Sequence, residues 1–285
     1  MAVALSLILA FMVVEVVGAA LAGSLALLAD AGHMLTDAGA LGASLWAARL
    51  ASRPASGAWT FGLKRAEILS AAGNGVTLLI VSALVTFDAV RRLVHPGPIE
   101  GSVVVALAVV GLLVNVVVVA VLARASRASL NVEGCFRHVL TDAYGFAATV
   151  AAGSIILATG FERADAIASL VVVVLMLGAA LHLLGASGRV LLEGAPLGVD
   201  LDEVRAHLLG AEHVADVHDL HAWTVTSDLP ALSAHVVLRD SCFYDGHAAQ
   251  ILDQLQACLA EHFDVEHSTF QFEAAGHLAH EPGTH

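Results

Sequence analysis

The sequence predicts a six-helix transmembrane bundle (all-α) followed by a small α+β soluble domain, on three observations. Of 285 residues, 58% are hydrophobic and only 14% charged, with a mean hydropathy of +0.81, too apolar for a water-soluble fold of this size. The net charge of −13 is segregated: residues 1–194 hold 11 Lys+Arg and 11 Asp+Glu, and the remaining 91 hold 2 and 15, so 2 − 15 = −13 falls entirely on the C-terminal part. Apolar runs of membrane-crossing length recur before residue 194 and stop there.

A hydrocarbon core about 30 Å thick takes about 20 apolar residues per helix. Dividing the runs at Gly, Pro and charge clusters gives spans at about 2–21, 25–48, 67–91, 101–123, 131–159 and 164–192. The first run has no basic residue before it, carries Glu15 and leads into the next apolar run, so it reads as a retained helix rather than a cleaved signal. Aromatics are only 5%; the apolar surplus is Ala, Val, Leu and Gly, which lets helices pack closely in lipid. The second and fourth connections, with the end of the sixth span, carry Arg49, Arg53, Lys64, Arg65, Arg124, Arg127 and Arg189. The third and fifth carry Arg91, Arg92 and Arg163, and the first none. This bias places both termini in the cytoplasm. One Lys against twelve Arg points to a prokaryotic source and hence the plasma (inner) membrane.

Beyond Pro196 the pattern changes. Asp200 to Leu209 reads as an amphipathic helix, Val214 to Thr226 and Leu232 to Arg239 as strands about a turn at Ser227 to Pro230, Asp245 to Phe263 as a helix and Thr269 to Phe272 as a short strand. The domains are therefore expected at 1–194, a transmembrane domain, and 195–275, a small cytoplasmic α+β domain. The tail 276–285, with His277, His280 and His285, is expected to be disordered. Cys135, Cys242 and Cys258 form no CxxC pair and read as small buried hydrophobes.

Two spans repeat one pattern, His33-Met34-Leu35-Thr36-Asp37 and His138-Val139-Leu140-Thr141-Asp142, each H-x-x-x-D. Positions i and i+4 share a helix face. At about 1.5 Å rise per residue, His33 and Asp37 lie roughly 13 and 19 Å from the outer end of their span. His138 and Asp142 lie roughly 10 and 17 Å from the inner end of theirs. The spans run in opposite directions, so four ligands fall near mid-bilayer. A carboxylate there costs at least about 2.5 kcal/mol; two imidazoles and two carboxylates form a tetrahedral, charge-neutralising set for Zn²⁺. Matching pairs at matching depth favour metal over interhelical polar contacts. No HExxH, HxxxH or HxxHH pattern supports an enzyme. A passive divalent-cation channel and a membrane-tethered metal sensor remain as alternatives.

Leu28-Ala29-Asp30-Ala31-Gly32-His33-Met34-Leu35-Thr36-Asp37 and His138-Val139-Leu140-Thr141-Asp142 resemble the second- and fifth-helix motifs of the cation diffusion facilitator family, its zinc-transporting branch in particular. His218-Asp219-Leu220-His221-Ala222-Trp223, Ser233-Ala234-His235 and His267-Ser268-Thr269-Phe270-Gln271-Phe272-Glu273 resemble its cytoplasmic domain. The resemblance implies a homodimeric antiporter that exchanges Zn²⁺, with Cd²⁺ or Co²⁺ as further cargo, for protons by alternating access, with a ferredoxin-like C-terminal domain. It also implies a cytoplasmic metal site of His218, His235, His247, His267 and Glu273, with His221 and His213 as weaker candidates. Membrane lipid is an expected partner and nucleic acid is not. The connections between the second and third and between the fourth and fifth spans hold no His, so the resemblance does not extend to metal-collecting loops there. Charge segregation adds one expectation: a dication offsets repulsion between two acidic domains and draws them together. The sequence does not fix the strand register on which the cytoplasmic site depends.

Overall fold

The computed structural model describes residues 2–25, 27–29, 31–32, 34–35, 39, 46, 49–50, 53–124, 130–226, 229–244, 246–265 and 267–277, with side chains described outside 2–11, 115, 117–124 and 130–142. Two compact units result, Met1–Trp46 with Ser70–Leu184, and Ala47–Leu69 with Gly185–His285. The second span expected from sequence falls largely outside the described residues.

The first unit is helical. Its helices are α1 (Ala2–Ala22), α2 (Ala66–Val94), α3 (Gly101–Arg124), α4 (Leu130–Thr159) and α5 (Arg163–Leu191), with α2 and α5 running on past the unit's limits. Helices α2 and α5, 29 residues each, are long and apolar enough to cross a membrane, about 43 Å at 1.5 Å per residue. Small residues set the packing. A Cβ on Gly153 of α4 would come within 2.7 Å of the Val105 side chain on α3, and one on Gly111 would run into the Phe146 ring, so both glycines are needed for α3 and α4 to approach. Among the described residues, Leu25, Ala29, Leu78, Val85, Ala89, Val172, Val173, Met176 and Ala180 form the largest buried cluster of this unit.

The helical stretch that begins at Leu25 is held at its start by specific bonds. Ser24 Oγ accepts from Leu27 N at 3.2 Å, which is the N-cap interaction of a helix beginning at Leu25. The same hydroxyl donates to Asp165 Oδ1, and Leu25 N donates to Asp165 Oδ2 at 2.7 Å. Asp165, fully buried in the first turn of α5, thereby ties two helix beginnings together.

The second unit contains α6 (Leu201–Leu209), β1 (Val214–Thr226), β2 (Leu229–Leu238), a 3₁₀ turn (Asp240–Phe243), α7 (Ala248–Phe263) and β3 (His267–Ala274). The order α-β-β-α-β matches the order expected from sequence. Asp200 caps α6 by accepting from Asp202 N at 2.9 Å. The sheet order is β1-β2-β3. Strands β1 and β2 form an antiparallel hairpin, while β3 returns parallel to β2 after the α7 crossover. Val204 and Leu208 of α6 and Ile251, Leu255 and Leu259 of α7 bury one face of this sheet against Val217, Leu232, Ala234, Val236 and Leu238. Because side chains alternate along a strand, His218 and His235, next to Val217 and Val236, point to the opposite face.

The unit also takes in the connection at 47–69. Within it, Arg65 pairs with Glu193 at 3.0 Å, and Thr226 Oγ1 donates to Glu67 Oε2 at 3.3 Å. A cavity of about 760 Å³ is lined by Trp59, Phe61 and Leu63 of this connection and by His221, Trp223 and Ser233 of the sheet.

Candidate metal centre

Three adjacent strands each contribute one ligand type to the face of the sheet turned away from α6 and α7. His218 of β1 and His235 of β2 are direct partners in the antiparallel register. Glu273 of β3 pairs with Val237, two residues along β2 from His235. Their donor atoms lie within 4.8 Å of one another, the only such group of three His, Cys, Asp or Glu among the described residues.

Glu273 is 3% exposed, and a buried carboxylate needs compensating partners. His235 Nδ1 lies 2.9 Å from its Oε1 and His218 Nε2 3.4 Å from its Oε2. Gln271 Nε2 donates to Oε1 at 2.7 Å. The imidazole rings of His218 and His235 meet nearly edge to face, centroids 5.3 Å apart. Tetrahedral zinc with bonds of about 2.0–2.1 Å sets neighbouring ligand atoms about 3.3–3.4 Å apart. The two contacts made by Glu273 bracket that separation, so the donor set suits a borderline divalent ion with a fourth position left for another ligand.

Asp219 extends the cluster in a way that sequence reasoning missed. A register shift in β1 falls between His218 and His221, and Asp219 takes φ 48° there, a left-handed conformation that Asp tolerates better than most residues. Its carboxylate consequently reaches His221 Nε2 at 3.0 Å and His235 Nε2 at 3.7 Å. The signal available in the sequence was the His-Asp-Leu-His run itself, in which the spacing does not match simple strand alternation.

Other expected ligands are placed elsewhere. The ring of His247 stacks on His213 at 5.7 Å and 10° between planes, and exposed His267 meets Phe61 edge-on at 5.7 Å. On α4, positions 138 and 142 stand one helical turn apart; their side chains, like His33 and Asp37 entirely, lie outside the described residues.

Residues 1–192 match the cation efflux transmembrane domain and residues 196–275 the cytoplasmic domain of cation efflux proteins. The chain belongs to the cation efflux family. It is an integral membrane protein, with a transmembrane cation efflux domain followed by a cytoplasmic domain of helices and a small mixed sheet. This cation efflux protein is 40% identical over 265 residues to the zinc transporter ZitB of Escherichia coli K12, covering 92% of this chain and 83% of that one. It is 35% identical over 273 residues to the cadmium, cobalt and zinc/H(+)-K(+) antiporter of Bacillus velezensis, covering 95% and 87% respectively. Among solved structures it is similar to the metal-bound C-terminal domain of the CzcD transporter from Cupriavidus metallidurans, at 39% identity over 26% of this chain and 99% of that one, with a TM-score of 0.23.

Proposed function

We propose that this cation efflux protein exports Zn²⁺, with Cd²⁺ and Co²⁺ as further substrates, from the cytoplasm in exchange for protons. The observation that carries the reading is the pair of H-x-x-x-D segments, in a chain of this family whose relatives are named for zinc, cadmium and cobalt transport. His33, Asp37, His138 and Asp142 form the transport site. Two carboxylates neutralise the dication in lipid, and two imidazoles must shed protons before they ligate it. On the cytoplasmic side the site loses protons and takes metal; facing a more acidic exterior it does the reverse. Alternating access of this one site couples the two fluxes.

The reading includes six spans in a transmembrane domain at 1–194, both termini in the cytoplasm and a plasma-membrane location. It also includes a ferredoxin-like domain at 195–275 and a homodimer. In the cytoplasmic domain His218, His235 and Glu273 hold a zinc ion that supplies positive charge against the acidic surface and favours approach of the two domains. The support for this ligand set is the donor spacing around the buried Glu273 carboxylate.

The deciding experiment uses purified protein in proteoliposomes. A pH gradient alone should drive zinc uptake against its own gradient, which separates an exchanger from a channel. Asp37→Ala and Asp142→Ala should each reduce uptake to that of protein-free vesicles; undiminished flux in either refutes the assigned site.

A further inference from the structure

The helical layer of the cytoplasmic unit carries a second histidine pair, on the opposite side of the sheet from His218 and His235. His207 lies in the last turn of α6 and His262 in the last turn of α7, and both are exposed. The ring Nδ1 of His207 is 3.0 Å from Glu203 O, and that of His262 is 3.1 Å from Cys258 O. A carbonyl oxygen only accepts, so each Nδ1 carries the proton. In each neutral ring Nε2 is left with the lone pair. A backbone carbonyl holding one imidazole nitrogen is the usual way to orient the other toward a metal.

The two rings are close enough to share an ion. Their centroids are 5.4 Å apart with planes inclined by 45°, and the His207 ring is braced edge-on against Phe263 at 5.1 Å. With metal–nitrogen bonds of about 2.0–2.1 Å, two imidazoles on one ion at 90–110° hold their centroids about 4.5–5.2 Å apart. A small side-chain rotation closes the difference. Electrostatics point the same way, because the rings stand at the negative ends of two helix dipoles. They also belong to the region that carries the whole net charge of −13.

We propose that Nε2 of His207 and Nε2 of His262 together bind one late first-row divalent cation, Ni²⁺, Cu²⁺ or Zn²⁺, with water completing its coordination. Imidazole pairs select these ions over Mg²⁺ and Ca²⁺. The site bridges α6 to α7 and is independent of the triad on the other face of the sheet.

The test is equilibrium dialysis of the full chain in detergent against Ni²⁺. His207→Ala and His262→Ala should each lose the same one equivalent, and the double variant should lose no more than either single one. Unchanged stoichiometry in the single variants, or losses that add in the double variant, overturn the proposal. Adding His218→Ala to His207→Ala should remove a separate equivalent if the triad also binds, so the two sites are judged apart. Without any substitution, Ni²⁺ should shield both rings from diethylpyrocarbonate in parallel, read by peptide mass spectrometry; unaltered modification of either ring sinks the shared site.

Discussion

Asp165 in the helical unit and Glu273 in the sheet unit are both carboxylates with almost no exposure, 0% and 3%, but they keep different company. Asp165 accepts from a serine hydroxyl and a backbone N–H. Glu273 lies between two imidazoles, with a glutamine amide alongside. Hydroxyl and peptide donors do not titrate near neutrality, so these two bonds to Asp165 form a fixed tie. Imidazoles can exchange a proton for a metal ion, so the partners of Glu273 are of a kind that a cation can displace. A buried acid is therefore informative about function mainly through the donors around it.

The largest effect expected is a control that touches neither carboxylate. Leu255→Ala removes a fully buried side chain from the α7 core and should lower the free energy of opening of α7 amides by about 2–5 kcal/mol, read by hydrogen exchange with and without zinc. Equal protection in the variant would mean that α7 does not pack as described. Next comes Glu273→Gln, which keeps the shape but removes the charge. Zinc at about 100 times its dissociation constant should stabilise the parent cytoplasmic unit by about 2.7 kcal/mol, and this increment should vanish in the variant. A zinc-dependent increment that survives would remove Glu273 from the site. In the parent the increment should also shrink as the pH falls, because protons compete with metal for the imidazoles.

Asp165→Ala should be milder and of a different kind. Loss of the helix-end bonds is expected to cost about 1–2 kcal/mol, by the same amount with and without zinc in thermal unfolding. A zinc-dependent difference would erase the contrast between the two acids. The smallest effect concerns Cys258, whose thiol is pushed above its ordinary pKa by burial and, secondarily, by the Glu261 carboxylate. Since the thiolate is the nucleophile, alkylation of Cys258 should need a more alkaline pH than that of an unperturbed thiol. An ordinary pH profile would show that the side chain is more open than described.

The same contrast explains what could be read from the sequence. Helical H-x-x-x-D pairs are local: an i,i+4 spacing puts positions 138 and 142 on one helix face whatever the rest of the chain does. Helix limits followed apolar length closely, with Ala66–Val94 found where 67–91 was expected and Gly101–Arg124 where 101–123 was. Strand β1 runs over Val214–Thr226 as its residue pattern indicated. Strand β2 starts earlier than expected, at Leu229, and includes Pro230. Proline is tolerated there because pairing with β3 begins only at Ala231, so no bond on that side calls for its missing N–H. Convergence of His218, His235 and Glu273 depends on a register between distant strands, which no local pattern encodes. The His-Asp-Leu-His run hinted at broken alternation around Asp219 but not that its carboxylate would reach His235, and no local pattern announced that Trp59 and Phe61 line a cavity with Trp223. Asp165 was visible as a polar residue near a span's beginning, but its partner lay 141 positions away in Ser24.

That long-range pin has a mechanical corollary. With Ser24 and Leu25 bonded to the first turn of α5, the helix that begins at Leu25 and α5 share one anchor point. Any relative movement of these two helices must leave that end together, so a hinge between them has to be sought away from it.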